Sequence, residues 1–258
     1  MLNEAQLLRK CPAMFAESAH ESRSERYGFV PTIDVVRKLL DEGFQPVAGM
    51  QSGCRDVGKT NHTKHLLRFR RDDQPIDGLY PEVLLLNSHD GSSAYQLLGG
   101  LFRTACLNGL VIGDAYHRVH VRHTVNQVRD VIEGSFTVIE ESRKALTRAQ
   151  QMSRVMLNQD EMRLLALSVH AERFGATGVD SSMTPDKLLN VNRREDGGRD
   201  LFTTVNRLQE NAVRGGIRFM NPQHRRMTTR EVKGIDQLVK LNKAIWNLGE
   251  QMMQLKAA

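Results

Sequence analysis

Apolar residues recur every three or four positions in five stretches of the chain, which is the spacing of an amphipathic helix. The helices predicted in this way cover residues 32–42, 124–157, 159–174 and 200–213, followed by a final helix with Leu238, Leu241, Ile245, Leu248, Met252 and Leu255. Thr32 and Asn158 are suited to helix starts, and Gly175 is suited to a helix end. The second half of the chain is therefore predicted to be mainly helical.

Four further stretches have the composition or the two-residue alternation of β-strands. They cover residues 44–52, 63–71, 80–87 and 116–122. In the second stretch, Leu67 and Phe69 alternate with a cationic set that consists of Lys64, Arg68 and Arg70. Because side chains alternate across a strand, this pattern predicts one buried face and one cationic row.

These elements predict an α+β fold, in which an antiparallel sheet in the N-terminal half is packed by a long helix and by a helical C-terminal half. We expect an α+β domain over residues 1–157 and a helical region over residues 158–258. Residues 175–199 are rich in Gly, Asp, Asn and Ser and are the best candidate for a flexible loop. A basic, proline-containing segment at about 214–231 is predicted to be a mobile arm.

The charge of the chain is unevenly distributed. The net charge is +6, and residues 55–71 alone hold six Lys or Arg and one Asp. Residues 199–233 hold eight Lys or Arg and three acidic residues, whereas residues 155–198 have a net charge of −2. Two basic clusters on one face would suit the phosphate backbone of a nucleic acid.

The residues predicted to contact nucleic acid come from these two clusters and from an arginine inside an apolar run. The candidate phosphate contacts are Arg55, Lys59, Lys64, Arg68, Arg70, Arg103, Arg214, Arg218, Arg225 and Arg226. The candidate base-stacking residues are Phe69, Tyr116 and Phe219. The alternative is a solvated basic surface with these aromatic residues in the core.

Catalytic, metal and nucleotide sites are not indicated by the sequence. Residues 53–60 match GxxxxGK[ST], but a predicted strand follows instead of the helix that a phosphate-binding loop requires. His117, His120 and His123 are three apart, so a strand would send them to opposite faces. Ser88 and Cys106 lack the surroundings of an activated nucleophile. We therefore predict no catalytic residue, no metal and no cofactor.

A polar turn follows the apolar run of the third predicted strand. It consists of Asn87, Ser88, His89, Asp90 and Gly91. Side chains of these types bond to nearby backbone, so a structural turn is predicted. A functional pair of His89 and Asp90 is the alternative.

Cysteine usage and hydropathy limit the setting of the protein. The chain has three widely spaced cysteines, Cys11, Cys54 and Cys106, with no ligand-like spacing. A disulfide framework and a structural zinc site are therefore not expected. Neither a membrane-spanning run nor a secretory leader is apparent, so we expect a cytoplasmic protein.

Long segments along the whole chain resemble one family. The segments are residues 11–36, 51–71, 84–113, 200–218 and 232–252, and the third begins LLLNSHDGSSAYQLLGGLFR. They are similar to the YfjQ/YafZ-like proteins, a UPF group of phage- and plasmid-related proteins of unknown function. The resemblance implies a bacterial protein from a prophage, plasmid or integrative element.

The function expected from these observations is that of a non-enzymatic accessory protein that binds DNA, with a preference for single strands. A sheet backed by a long helix would also suit a strand-annealing protein. The spacing of the final helix suggests a homo-oligomer, although a core helix gives the same pattern. The alternative function is an anti-defence protein that inhibits a host immune complex by direct contact. An enzyme that acts on nucleic acid, such as a nuclease, is the third hypothesis.

Overall fold

A computed structural model describes residues 1–23, 27–71, 74–103, 109–111, 118–121, 127–175, 183–221 and 223–257. The chain divides into two compact units. The first unit consists of Met1–Leu107 and Asp114–Ala145, and the second consists of Asn108–Gly113 and Leu146–Ala258. The predicted boundary after residue 157 therefore lies inside the second unit.

The first unit is built on an antiparallel sheet. Its strands are β1 (Gln45–Gln51), β2 (His65–Arg70), β3 (Leu79–Asn87), β4 (Tyr95–Arg103) and β6 (Arg118–Val121). Strands β1 to β4 pair in chain order, and β6 pairs with β4. The short strand β5 (Gly109–Val111) belongs to the second unit. The predicted α+β class and the antiparallel sheet are confirmed.

Strand β4 is one of the elements that the sequence pattern did not identify. Both of its faces are buried, so its residues form an apolar run without alternation. Gly100 has no room for a side chain, because a Cβ there would lie 2.8 Å from Leu84 Cδ1 and 2.5 Å from the Phe102 ring. The glycine that interrupts the apolar run therefore permits close packing within the sheet.

Two helices cover one face of this sheet. Helix α2 (Thr32–Asp41) ends before Gly43, whose φ of +85° is readily adopted by glycine. Helix α3 is the predicted long helix and spans Gln127–Ser153. It approaches the sheet closely at Gly134, where a Cβ would lie 2.7 Å from Leu97 Cδ1. The core under these helices also includes helix α1 (Glu4–Lys10).

The second unit is mainly helical, as predicted. It contains α4 (Gln159–Phe174), α5 (Leu201–Arg214), α6 (Ile235–Ala257) and the last residues of α3. Asn158 caps α4 through a capping box with Glu161. Helix α6 packs on α4 and α5, and its Leu241, Ile245 and Met252 are buried. The heptad-like spacing of the last helix is therefore that of a core helix, and self-association stays a prediction.

Two segments predicted to be flexible contain regular structure. Residues 185–189 and 194–197 form short 3-10 helices next to α5, where Asn211 Nδ2 donates to the carbonyl oxygens of Leu188 and Asn190 at 2.8 and 2.9 Å. The basic arm contains an antiparallel hairpin of β7 (Arg218–Met220) and β8 (Arg226–Thr228). None of the described helices is long and apolar enough to cross a membrane.

Candidate nucleic-acid interface

The hairpin of β7 and β8 is held by hydrogen bonds at its tip. The backbone N–H of Asn221 donates to the carbonyl oxygen of Arg225 at 2.9 Å, and the N–H of Arg225 donates to Asn221 Oδ1 at 2.8 Å. His224, within the turn, has a φ of +56°. Asparagine satisfies backbone groups in turns in this way, so it is suited to this position.

The root of the hairpin is tied to the body of the second unit. Arg173 of α4 donates to the carbonyl oxygens of Ala212 and Arg230, each at 3.0 Å. Val232 N–H donates to the carbonyl oxygen of Val213 at 2.8 Å. Gly215 allows the two backbones to approach closely, because a Cβ there would lie 2.6 Å from the carbonyl oxygen of Thr229. The basic arm is therefore anchored on both sides of its root.

The register of the hairpin gives it two different faces. Arg218 pairs with Thr228 and Met220 pairs with Arg226, so these four side chains share one face. The opposite face carries the cross-strand pair of Phe219 and Met227. Phe219 is half-buried and Met227 is exposed. The hairpin thus combines a cationic face with an apolar one.

The cations of the hairpin differ in their partners. Arg218, Arg225, Arg226 and Arg230 are exposed, and no described acidic residue forms an ion pair with them. Arg214, at the end of α5, instead donates to Glu210 at 2.7 Å, as Arg193 also does at 2.8 Å. The candidate contacts of the arm therefore remain available to an anion, except for Arg214.

The cationic row predicted on β2 is largely neutralised. Glu82 of β3 is fully buried, and its two oxygens accept hydrogen bonds from Arg68 Nε and Arg70 Nη2, each at 2.7 Å. The guanidinium carbons of these arginines lie 3.3 Å from the ring centroids of Phe102 and Tyr80, respectively. Arg68 and Arg70 therefore compensate a buried carboxylate, and their predicted contact with nucleic acid stays a prediction.

The structure describes two of the three candidate base-stacking residues. Phe69 is fully buried in the core of the first unit, so the prediction that it stacks on a base is wrong. The physical reason is that Phe69 lies on the face of β2 that packs under the helices. Tyr116 lies outside the described residues. Phe219 is the candidate that the structure leaves partly accessible.

The remaining candidates of the first unit lie beside the sheet. Arg55 is exposed, Lys64 is half-buried, and Arg103 is a half-buried residue at the end of β4, opposite Leu79. Lys59 lies in a short 3-10 helix, Val57–His62, which leads into strand β2. The phosphate-loop pattern therefore ends within this 3-10 helix, and the predicted strand comes after it.

Lys59 lines an open cleft of about 670 Å³ together with His20 and His62. Asp56 and Glu21 also line this cleft, so it carries charges of both signs. Within the described part of the chain, no group of three or more His, Cys, Asp or Glu residues is placed to hold a metal ion.

The polar turn encloses a buried network around Thr32. His65 Nδ1 lies 3.1 Å from the carbonyl oxygen of Thr63, so this nitrogen is the donor, and Nε2 accepts the Thr32 hydroxyl proton at 2.9 Å. Thr32 Oγ1 in turn accepts from Asn87 Nδ2 at 3.0 Å and lies 3.0 Å from His89 Nε2. One hydroxyl thus joins the start of α2 to β2 and to the turn.

The environment of this network fixes the charge of His65. Burial lowers the pKa of His65 to about 4, so the ring is neutral near pH 7. The side chain of His89 points into the network and is fully buried. Asp90 Oδ1 instead accepts from the N–H of Ser92 at 2.9 Å. His89 and Asp90 therefore have separate partners in this turn.

Three residues that matter to these arrangements were missed in the sequence. Glu82 is a single charge in an apolar run, and such a charge requires a partner. That signal points to the arginines of the neighbouring predicted strand. Thr32 was read only as a helix start, and no local pattern identifies Arg173 as the residue that holds the hairpin root.

The hairpin root provides a direct test of this anchoring. Gly215 has φ +66° and ψ −142°, a region that only glycine adopts readily, and Gly215→Ala would also bring a Cβ against the backbone of Thr229 and Arg230. We expect Gly215→Ala to lower the free energy of unfolding by about 2–3 kcal/mol. Gly216→Ala is the matched control, since Gly216 has φ +79° but no atom within 4 Å of its Cβ position. Equal losses in urea unfolding would contradict the close-approach explanation.

Comparison with known proteins finds similarity over almost the whole chain. Residues 19–246 match the family described as Domain of unknown function (DUF932). The chain is 41% identical over 252 residues to the UPF0380 protein YafZ of Escherichia coli (strain K12), which covers 98% of this chain and 92% of YafZ. It is 40% identical over 252 residues to the UPF0380 protein YfjQ of the same strain, with the same coverage. No solved structure matches the chain at a significant level.

Proposed function

We propose that this chain, which belongs to the DUF932 family as its resemblance to the YfjQ/YafZ-like proteins predicted, is a non-enzymatic DNA-binding accessory protein of a mobile genetic element. We further propose that it favours single-stranded DNA and that the hairpin of β7 and β8 is its principal contact.

The single observation that supports this proposal most strongly is the exposed hairpin, whose arginines have no acidic partner among the described residues. Arg218 and Arg226 lie on one face of the hairpin, and Arg225 lies at its tip. Neutralisation of phosphates by such side chains, with release of counterions, supplies most of the affinity in non-specific DNA binding. The anchored root holds these charges in a fixed arrangement.

The opposite face of the hairpin supports a preference for single strands. Phe219 and Met227 form an apolar pair there, and Met227 has 45% of its surface exposed. Unpaired bases expose their faces to apolar and aromatic side chains, whereas paired bases are stacked inside the duplex. A strand that contacts both faces of the hairpin would use its phosphates and its bases.

The proposal is tested by a salt series with single- and double-stranded oligonucleotides of equal length. We expect wild-type affinity to fall steeply with salt and to be higher for the single strand. The variant with Arg218→Glu, Arg225→Glu and Arg226→Glu is expected to bind at least about tenfold more weakly and with a smaller salt slope.

The matched control makes the same change of charge at exposed residues elsewhere, Arg9→Glu, Arg194→Glu and Lys240→Glu. If the control loses as much affinity as the hairpin variant, net charge alone explains the binding. Equal affinity of the hairpin variant and the wild type at low salt would exclude the hairpin as the contact.

A further inference from the structure

An open groove of about 550 Å³ lies in the second unit, between the C-terminal ends of α3 and α6. Val155, Met156 and Met253 give it an apolar lining. Arg148 and Arg154 supply positive charge at the same place. Met156 has 60% of its surface exposed, which is a large fraction for an apolar side chain held in a bridge to another part of the unit.

The positive charge of this groove is not neutralised within the unit. Arg148 Nη1 donates to the neutral amide oxygen of Gln151 at 3.0 Å. Arg154 is exposed, and no described acidic residue pairs with it or with Arg148. Lys256, the third cation of the lining, is paired with Glu161 at 2.8 Å. Two cations are therefore available to an acidic ligand.

The backbone of Met156 presents one N–H and one C=O that no described group uses. Met156 forms an isolated antiparallel bridge with Asp200. The residues on either side of the bridged pair make its hydrogen bonds. The N–H of Leu157 donates to the carbonyl oxygen of Arg199 at 2.9 Å, and the N–H of Leu201 donates to the carbonyl oxygen of Val155 at 2.8 Å. In such a bridge the central residue directs its own N–H and C=O to the other edge. Among the described residues, no group bonds to the N–H or C=O of Met156.

We propose that this groove binds an extended acidic segment of a partner protein, which pairs with the backbone of Met156. Addition of a strand at a free edge supplies main-chain hydrogen bonds, and the groove selects the side chains. Arg148 and Arg154 would pair with carboxylates of the segment, and Val155 and Met253 would contact an apolar side chain. This proposal goes beyond DNA binding and does not depend on it.

A protein segment fits this groove better than a nucleic acid does. No aromatic side chain is among the described residues that line it, and these residues offer no platform for bases. The free N–H and C=O of one extended residue match the donor and acceptor of another peptide backbone. A phosphate backbone has no donor to pair with the free C=O.

The test uses the full chain and a fluorescein-labelled peptide of about ten residues in which aspartate alternates with leucine and threonine. Fluorescence anisotropy is expected to show saturable binding. A peptide with asparagine in place of every aspartate should bind the wild type at least about tenfold more weakly. The variant with Arg148→Glu and Arg154→Glu should bind the acidic peptide at least about tenfold more weakly. The charge-matched variant with Arg194→Glu and Lys240→Glu should bind as the wild type does.

A second variant isolates the backbone contribution. Met156→Pro removes an N–H that no described group uses, whereas Met156→Leu keeps it together with an apolar side chain. We expect Met156→Pro to weaken peptide binding and Met156→Leu to preserve it, with thermal unfolding followed for both. Absence of binding by the acidic peptide, or equal binding of the asparagine peptide, would overturn the proposal. It would also be overturned if single-stranded DNA displaced the peptide from the wild type and no longer bound to the Arg148→Glu, Arg154→Glu variant.

Discussion

Replacing Arg68 and Arg70 together with alanine is expected to lower the free energy of unfolding by about 3–5 kcal/mol. The reason is that Glu82 would lose both of its cationic partners while its carboxylate remained fully buried. The rings of Phe102 and Tyr80 would also lose the guanidinium groups that lie over them. Urea unfolding at neutral pH measures the loss.

Removal of all three charges is the informative control. A variant with Arg68→Met, Arg70→Met and Glu82→Met keeps the volume of the cluster and leaves no buried charge, so it should recover most of the lost stability. If the double alanine variant is destabilised by less than about 1 kcal/mol, the carboxylate is not held in the way described. The same buried carboxylate makes charge reversal on β2 a poor test of DNA binding, since a loss of stability would accompany any loss of affinity.

Acid is expected to destabilise the first unit through His65. The folded-state pKa of His65 is about 4, below the ordinary value of 6.5, so the unfolded chain binds a proton more readily than the folded chain does. The contribution of His65 to the free energy of unfolding is therefore fully present above about pH 6.5 and is lost as the pH decreases toward 4. Between pH 7 and pH 5 this group alone should lower the free energy of unfolding by about 2 kcal/mol.

The contribution of His65 is separated from that of the carboxylates by substitution. In His65→Gln the amide oxygen can still accept the Thr32 hydroxyl, but the side chain does not titrate. The difference in unfolding free energy between wild type and His65→Gln should shrink, or reverse in favour of the variant, as the pH falls from 7 to 5. A difference that is constant over this range would contradict the assignment of a neutral, buried imidazole.

Local patterns predicted most of the helices and strands because those patterns are produced by features within one element. Asn158 caps α4 and Gly175 follows it, and both signals are local. Alternation along β2 also placed Phe69 and Arg68 on opposite faces correctly. It did not show which face would be accessible, since that depends on what packs against the strand.

The partners of the charged residues were harder to predict for the same reason. Glu82 meets Arg68 and Arg70 through the pairing of β2 with β3, which depends on the register of two strands. The hairpin of the arm was missed because each of its strands has three residues, too few for alternation to be evident. Its anchor, Arg173, lies in a helix 57 residues from one of the groups that it binds.

The anchored hairpin has a thermodynamic consequence for any ligand that it meets. A structureless arm would lose conformational entropy on binding, at a cost of about 1–2 kcal/mol for each residue that becomes ordered. In this protein the contacts of Arg173 and the hydrogen bonds of the Asn221 turn impose that order during folding. Binding calorimetry should therefore show little of the unfavourable entropy that accompanies coupled folding, and its entropic component should come mainly from released ions.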